Sequence, residues 1–536
     1  MTGKRILPVV MALVLVSSTL AFSGCIEDDD DILLETTMYV PDDERADEML
    51  IVQEQAREAG IHIELEAVEW GTYIEEVEAG NAPLSYSGWS GTPSAEYIMS
   101  YMMEGSPWAY YSGWYEGEEF TQKVNDAVRE PDEEERWNLY HEAHEVLIED
   151  DMGVYIMYTE RMPRAYHDSV EIPEESWNPY MGAGPLVVAE EWEVEGSDTL
   201  DIAQTHEPSD FHPIRYTDVY SAYIFVQMYD PLVSTYPEGE PNTDAEHTLA
   251  ESFEVSDDGL EMTFELKEGI EFHNGDEVTA EDVEFTINTM MMGEDEEDEY
   301  FDMYDVDNNP ESPREPDFAN IDYVEAVDEY TLEIHMEERD MELLQKGGFE
   351  SLYTLPRDYI EEHGWETYED ELIGTGPYEF SSYDAGDELR LEEFEDYRKE
   401  VNTPEMVFDF YDEESTAVTA LRDGDTHYMS RISATNYHDL ADEDDVVTRS
   451  FQDMGHNRIA FNHNMEPFDD VNVRKALAYA IDADEVIEAE MTQELADNTR
   501  SPVPDVHPAH PEDVYMYERD TERARELLHE AGYTGD

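Results

Sequence analysis

Apolar residues recur at helical spacing near the end of the chain, in VNVRKALAYAIDADEVIEAE. This pattern predicts an amphipathic helix with an apolar inner face and a basic outer face. The inner face carries Val473, Leu477, Ala480 and Ile481, and the outer face carries Arg474 and Lys475. After a proline-rich loop, a second helix is predicted over 521–531, with Leu527 and Leu528 turned inward. It ends at Gly532, which is typical of a helix C-cap.

The pattern near the start of the chain alternates between strand and helix. A strand over 35–40 is followed by a helix over 44–59 that ends at Gly60, and then by a strand over 62–68 with apolar residues on one face. A further helix is predicted over 133–148.

Turn residues divide the middle of the chain. The Asp-Asp-Gly at 257–259 predicts a hairpin between two alternating strands, and the Asn-Gly-Asp at 274–276 predicts a second tight turn. Thr279 is predicted to cap a helix, with Asp282 at its third position as in a capping box. The acidic stretch over 293–317 is predicted to be an inserted loop.

Charge sets this composition apart from that of an ordinary globular protein. The chain has 28 Lys and Arg against 137 Asp and Glu, a net charge of −109 that is spread through every predicted element. Nucleic acid is excluded as a partner because its phosphates would be repelled. Such even acidity indicates adaptation to high salt, which screens self-repulsion. Intrinsic disorder is the alternative, and the regular apolar periodicity argues against it.

The first residues have the pattern of an exported lipoprotein. Two basic residues precede an apolar run over 6–22, which ends at Ser-Gly-Cys25. This pattern predicts a signal peptide over 1–25 with a lipobox, whose cysteine is diacylated and becomes the mature N-terminus. A transmembrane anchor is the alternative, but the run is short and interrupted by polar residues. With 26–32 as an acidic tether, we expect the protein at the outer face of the cytoplasmic membrane.

The sequence contains little that points to an enzyme. His141 and His144 stand three residues apart, not the four of a zinc-binding HExxH helix, and His507 and His510 lie in a proline-rich loop. Neither a glycine-rich phosphate loop nor a Gly-x-Ser-x-Gly elbow is present. Because Cys25 is the only cysteine, a disulfide framework and a cysteine-based metal site are excluded. We therefore predict a binding protein that uses no cofactor and no metal.

Four stretches of the chain carry family-specific motifs. The most specific is LAESFEVSDDGLEMTFELKEGIEFHNGDEVTAEDVEFTI, over 249–287. The others are GTGPYEFSSYDAGDELRLEEFEDYRK over 374–399, FNHNMEPFDDVNVRKAL over 461–477, and the later ERARELLHEAGY. Together they resemble the extracellular solute-binding proteins of family 5, the peptide, nickel and oligosaccharide receptors of ABC importers.

This resemblance implies both a fold and a function. The implied fold is α/β, of the type II periplasmic-binding-protein kind, with two lobes and an extra domain. The implied function is to bind a peptide or similar small solute outside the cell by hinge closure and to deliver it to an ABC permease. The receptor is expected to act as a monomer.

The matching segments stand in permuted order. Residues 33–190 resemble the C-terminal part of the family, with 154–167 as its final strand, and 199–536 resemble its N-terminal and central parts, after a linker over 191–198. Lobe one is assigned to 197–235, 372–450 and 150–190, the extra domain to 236–371, and lobe two to 451–536 and 33–149. The last predicted helix and the strand over 35–40 are thus expected to be neighbours. Circular permutation, recombination of tandem genes, or a tandem protein missing its last part each explain this order.

The resemblance also assigns a ligand-binding strand and loop, YSGWSGT. The implied ligand-binding residues are Tyr86, Gly88, Trp89, Ser90 and Thr92, with Trp70 and Tyr73 as apolar walls and with Tyr223 and Asn462 as further candidates. For each aromatic residue, a place in the lobe core is the alternative. Peptide-binding relatives carry an aspartate at the position of Thr92, where it holds the α-amine. Since a buried ammonium needs a charged partner, we expect solutes without a free α-amine, unless Glu96 reaches the same space.

Other functions are compatible with the same residues. Within the family, the alternatives are a nickel, heme or oligosaccharide receptor. Outside transport, they are a receptor that docks to a membrane sensor and a non-functional recombinant. A permease gene next door would favour import, whereas intact folding without ligand binding would favour the last alternative.

Overall fold

This computed structural model describes residues 32–534, with gaps at 90, 107, 178–183, 209, 217, 236–238, 244–246, 292–311 and 492–493. The predicted signal peptide, Cys25, most of the tether, Ser90 and most of the predicted acidic loop lie outside the described residues. Among the helices that the structure does describe, none is both long and apolar enough to cross a membrane.

The described strands form one large mixed sheet, one four-stranded antiparallel sheet and one two-stranded pair. They are β1 Leu34–Pro41, β2 Ile61–Val68, β3 Leu84–Trp89, β4 Val154–His167, β5 Val170–Glu171, β6 Glu193–Val194, β7 Thr199–Gln204, β8 Ala250–Val255, β9 Glu261–Leu266, β10 Ile321–Asp328, β11 Thr331–Met336, β12 Tyr378–Asp384, β13 Glu388–Glu393, β14 Glu405–Phe410, β15 Tyr428–Met429, β16 Val446–Gln452, β17 His456–Phe461 and β18 Ala496–Asp497. The large sheet runs β12-β13-β14-β7-β15-β4-β17-β3-β1-β2, with β16 and β18 also paired to β4. The smaller sheet runs β10-β11-β9-β8.

Helices cover these sheets. They are α1 Glu44–Glu58, α2 Trp70–Glu78, α3 Ala95–Met99, α4 Glu118–Val128, α5 Glu133–Glu145, α6 Val219–Met228, α7 Ala280–Met290, α8 Gly347–Glu350, α9 Arg357–His363, α10 Trp365–Glu371, α11 Glu414–Asp423, α12 Ala434–Leu440, α13 Val471–Ala480, α14 Ala483–Val486 and α15 Thr521–Glu530.

Most of the predicted local elements are confirmed. The strand predicted over 35–40 is β1, the helix over 44–59 is α1, and α15 ends before Gly532, which has φ +99°. The turn at 257–259 joins β8 to β9, which pair in antiparallel fashion. The capping box is present because the backbone N–H of Thr279 donates to Asp282 Oδ2 at 2.9 Å. Local sequence rules therefore account for the ends of these elements.

The prediction that Arg474 lies on the outer face of α13 is wrong. Its side chain is buried, and its guanidinium donates to the backbone carbonyls of Asp151 (2.7 Å), Met152 (3.0 Å) and Phe468 (2.7 Å). Phe468 lies just before α13, whereas Asp151 and Met152 lie in a turn that packs on the helix from a distant part of the chain. An arginine fork can satisfy several buried acceptors at once, which explains a charged residue on a packed face.

Buried apolar side chains separate the described residues into two lobes and an extra domain. The core of lobe two joins β1–β3, α1 and α4 to β17, α13 and α15. The core of the extra domain is built from β8–β11 with α7, α9 and α10. The core of lobe one is built from β7, α6, β13 and β14, with a smaller cluster beneath α11 and α12.

The first and last described elements lie on the same lobe. The prediction that the strand over 35–40 and the helix over 521–531 are neighbours requires this. Leu34 belongs to the core of lobe two, and Leu33, Ala531 and Tyr533 pack against that core. The permuted order and its origin stay predictions.

Two strand crossings connect the lobes. The first half of β4 pairs with β17 of lobe two, and its second half pairs with β15 and β16 of lobe one. The second crossing runs from β16 to β17 through Asp453, whose backbone N–H donates to the carbonyl of Glu160 at 3.1 Å. The two crossings lie side by side, so the lobes are joined by a narrow, two-stranded connection.

Candidate ligand-binding cleft

A cleft opens beside these crossings and contains two adjoining cavities. The lobe-one cavity, of about 320 Å³, is lined by residues of both lobes and of the extra domain. The lobe-two cavity, of about 500 Å³, is lined mainly by β3, the start of α1 and the crossings. Tyr97, Met162 and Asp453 line both cavities, so the two volumes form one site.

The strand β3 brings two of the predicted residues to the lobe-two cavity. Gly88 pairs with Asn457 across the sheet, and a β-carbon at Gly88 would lie 3.0 Å from Asn457 Oδ1. Trp89 packs its ring against Tyr101 and Tyr111, with centroids 4.8 and 5.6 Å away. Its indole Nε1 is buried and has no hydrogen-bond partner in the part of the chain that the structure describes. An orphaned indole donor on a cavity wall is available to a ligand acceptor.

The loop after β3 is held tightly against the second crossing. A β-carbon at Gly91 would lie 2.1 Å from the carbonyl oxygen of Met454, so only glycine allows this approach. Thr92 is buried on the wall of the lobe-one cavity, and its Oγ1 accepts a hydrogen bond from the backbone N–H of Ser94 at 3.2 Å. The loop therefore links the crossing to the cavity wall.

The other predicted residues divide between the cleft and the protein core. Trp70 lines the lobe-two cavity with 44% of its surface exposed, and Tyr223 lines the lobe-one cavity. Tyr73 and Tyr86 are fully buried and line neither cavity, because their side chains turn into lobe two. Asn462 lines neither cavity either, and its amide donates to two carbonyls of the turn after α2. For Tyr73, Tyr86 and Asn462 the structure supplies a packing or hydrogen-bonding role within the lobe.

Glu96 does not reach the space beside Thr92. Its carboxylate is mostly buried and lies 3.0 Å from Lys346 Nζ, in the contact between α3 and the extra domain. It lines neither cavity of the cleft. The alternative that Glu96 holds a ligand amine is therefore wrong.

Sequence reasoning missed the charged side chains of the cleft. Asp453, Glu160 and Arg431 line the lobe-two cavity. Burial, together with the neighbouring Glu160 carboxylate, raises the pKa of Asp453 to about 6. The cleft therefore contains local carboxylates away from Thr92, and the expected preference for solutes without a free α-amine stays a prediction. Acidic residues occur throughout this chain, so no single one stands out as a site residue. The only available signal for a charged site residue was that basic residues are rare.

Glu48 is a buried carboxyl group on the wall of the lobe-two cavity. The hydroxyl of Tyr158 donates to both of its oxygens at 3.0 and 2.9 Å, and Tyr86 also bonds to it. Burial raises the pKa of Glu48 from 4.5 to about 8, and the two tyrosine hydrogen bonds only partly oppose this. The group is therefore protonated at neutral pH.

Replacing Glu48 with Gln is expected to remove a pH dependence of stability. A folded-state pKa raised to about 8 stabilises the protein fully below pH 4.5, and this contribution is lost as the pH rises towards 8. Between pH 5 and 8 the free energy of unfolding of the native sequence should fall by a few kcal/mol relative to Glu48→Gln. Urea unfolding in high salt at several pH values measures this difference.

The matched control is Glu54→Gln, which changes an exposed carboxylate of the same helix. Its stability should follow that of the native sequence at every pH. Parallel profiles for Glu48→Gln and the native sequence would contradict a raised pKa at Glu48.

A comparison with known protein families identifies this fold. A model described as bacterial extracellular solute-binding proteins, family 5 middle, matches residues 245–536. The chain belongs to family 5 of the extracellular solute-binding proteins. This match lies within residues 199–536, the segment predicted to resemble the N-terminal and central parts of the family. The predicted type II periplasmic-binding-protein fold is thereby confirmed.

Individual relatives in family 5 match only part of their own length. Heme-binding protein A of Haemophilus influenzae is 31% identical over 328 residues, which is 57% of this chain and 57% of that protein. Di/tripeptide-binding protein 1 of Pseudomonas aeruginosa is 28% identical over 301 residues, 53% of this chain and 54% of that protein. The chain thus aligns with little more than half of these curated relatives.

A solved structure shows the same fold. It is the periplasmic binding protein DppA from Helicobacter pylori in complex with the peptide STSA, with a TM-score of 0.50 and 23% identity. The superposition covers 62% of this chain and 66% of that chain.

Proposed function

We propose that this protein captures a small solute between its lobes and delivers it to an ABC importer. The observation that carries the proposal is the cleft, which is lined from both lobes and lies beside the two strand crossings. A narrow connection between two lobes is the geometry in which hinge closure buries a ligand. Family 5 membership supports delivery to a permease as the purpose of that capture.

We propose a peptide as the solute. The cavity volumes fall in the range of sites for small ligands, and aromatic side chains supply apolar walls. β3 pairs with β1 only at Leu84 and Ser85, so among the described strands none pairs with Gly88 and Trp89 on that side, and both residues line the lobe-two cavity. An extended peptide can add to such an edge as a further strand. One relative's name, a di/tripeptide-binding protein, agrees with this choice.

Heme is the second candidate, because a relative at 31% identity is named as a heme-binding protein. The aromatic walls of the cleft would suit a flat apolar ring. A ligand that absorbs in the visible range would separate heme from peptide directly.

We also propose lipid anchoring at Cys25, with the protein outside the cytoplasmic membrane and in high salt. The supporting observations are the leader pattern and the even acidity of the chain. Fractionation of cells, with recovery of the protein in the membrane rather than the medium, would check the anchor.

Mass spectrometry of small molecules that copurify with the protein in high salt tests the function. We expect short peptides, and we expect Trp89→Ala to release them because it removes a wall of the lobe-two cavity. The matched control is Tyr323→Ala, which removes an exposed aromatic side chain of the extra domain. Absence of any bound solute, together with failure to bind a mixed peptide pool in calorimetry, would contradict the proposal.

A further inference from the structure

One basic side chain of the cleft comes from the extra domain. Arg314 lines the lobe-one cavity, and its guanidinium lies over the ring of Tyr216, 5.1 Å from the centroid. Its backbone is fixed in a turn, because the N–H of Arg314 donates to Ser312 Oγ at 3.2 Å and its carbonyl accepts from Asp317 at 2.9 Å. The side chain is therefore held at the cavity by its own segment.

The guanidinium of Arg314 has no polar partner among the described residues. Its Nε is buried without a hydrogen bond, and no carboxylate of the described ranges, which leave out 292–311, lies within 4.0 Å of its nitrogens. Asp317 is near, but its Oδ2 accepts a hydrogen bond from the N–H of Gly348 at 2.7 Å. With 137 acidic against 28 basic residues in the chain, a buried arginine without a direct ion pair among the described residues is unexpected.

The acidic side chains of the same cavity are mostly matched by other partners. Asp230 lies 2.8 Å from Arg398, and Glu190 lies 2.6 Å from Lys399. These pairs leave Arg314 without a direct ion pair in the described ranges, although against the effect of burial the nearby Asp317 carboxylate favours its charged form and helps to raise its pKa. A solute carboxylate that binds there can form the direct, charge-assisted hydrogen bonds with the guanidinium that no described carboxylate forms.

We infer that Arg314 binds an anionic group of the solute, of the carboxylate class, and that the extra domain thereby takes part in ligand selection. The planar guanidinium can donate two parallel hydrogen bonds to a carboxylate, while Tyr216 supports its other face. For a peptide, the carboxylate is the C-terminal one or that of an acidic side chain. This inference rests on the proposed peptide function.

Calorimetry in high salt with two peptide pools tests the inference. One is a pool of random tripeptides without acidic side chains and with a free C-terminal carboxylate, and the other is the same pool with C-terminal amides. The native protein is expected to bind the free acids about tenfold or more tightly than the amides. In Arg314→Gln that preference should disappear through weaker binding of the acids, while binding of the amides stays the same. Arg314→Lys should restore part of the preference, because it keeps the charge but loses the fork.

The matched control is Arg523→Gln on the exposed face of α15, which should bind both pools as the native protein does. A melting temperature equal to that of the native protein shows that each variant is folded. Equal binding of acids and amides by the native protein, or equal weakening of both by Arg314→Gln, would overturn the inference. If neither pool binds the native protein, the peptide function fails and the inference falls with it.

Discussion

Removal of salt is expected to unfold this protein. The net charge is −109, and acidic residues often stand side by side, as at Glu133, Glu134 and Glu135 in the first turn of α5. At about 1 M salt the Debye length is about 3 Å, and at about 0.01 M it is about 30 Å. At low salt each carboxylate therefore repels many others. This repulsion disfavours the folded state, because folding holds the carboxylates closer together than they are in the unfolded chain.

Far-ultraviolet circular dichroism during dialysis from high to low salt measures this effect. We expect loss of most helical signal, which should return when salt is restored. A chelator must be present because bound divalent cations would replace the screening by salt. A cooperative melt that is the same in dilute buffer and in high salt would contradict the prediction.

The second large effect is expected at Lys346. Its Nζ lies 2.7 Å from Asp340 and 3.0 Å from Glu96, and all three side chains are mostly or fully buried where α3 of lobe two meets the extra domain. The two carboxylates outweigh the effect of burial and raise the pKa of Lys346 above its usual range. Glu342 adds a third buried carboxylate, which accepts from Ser94 Oγ at 2.9 Å.

Lys346→Met is expected to lower the free energy of unfolding by about 3–5 kcal/mol. The change keeps the volume of the side chain but leaves Asp340 and Glu96 buried without a cation. Urea unfolding in high salt measures the loss. Adding Glu96→Gln and Asp340→Asn to Lys346→Met should recover part of it, because the uncompensated charges are then gone.

Lys123→Met is the matched control. Lys123 pairs with Glu142 at 2.7 Å, but that carboxylate is 56% exposed. An exposed ion pair contributes about 0–1 kcal/mol, so the control should lose little stability. Equal losses for Lys346→Met and Lys123→Met would show that the buried cluster has no special role.

The sequence predicted local structure better than it predicted the cleft. Helices α13 and α15 follow from apolar spacing, and the turn at 257–259 follows from its own residues. Arg474 was misplaced because two of its partners, the backbone carbonyls of Asp151 and Met152, lie more than 300 residues away and no local pattern records them. Tyr73 was assigned to the cleft with Trp70, and the two rings do stack with centroids 5.3 Å apart, but the ring of Tyr73 is fully buried in the lobe whereas that of Trp70 is 44% exposed.

The acidic composition hid the polar part of the site. In a chain with 137 carboxylates, Asp453 and Glu160 do not stand out, and only the strand crossings bring them together. Trp89, Gly88 and Thr92 were predicted because the resemblance assigned a whole strand and loop. Arg314 follows an acidic insert and carries no motif, so its position in the cavity depends on tertiary packing alone.

The pairing of β3 with β17 also determines when lobe two can be completed during synthesis. β1, β2 and β3 are made early, but β17 and α13, which complete their sheet and core, are made only after lobe one and the extra domain have left the ribosome. Until then only early segments such as α1 and α4 can cover the apolar faces of β1 and β3, and contacts between segments as distant as β3 and β17 form slowly. Lobe two is therefore the last part of the molecule to mature, and its early strands are the part of the nascent chain that most needs protection from aggregation.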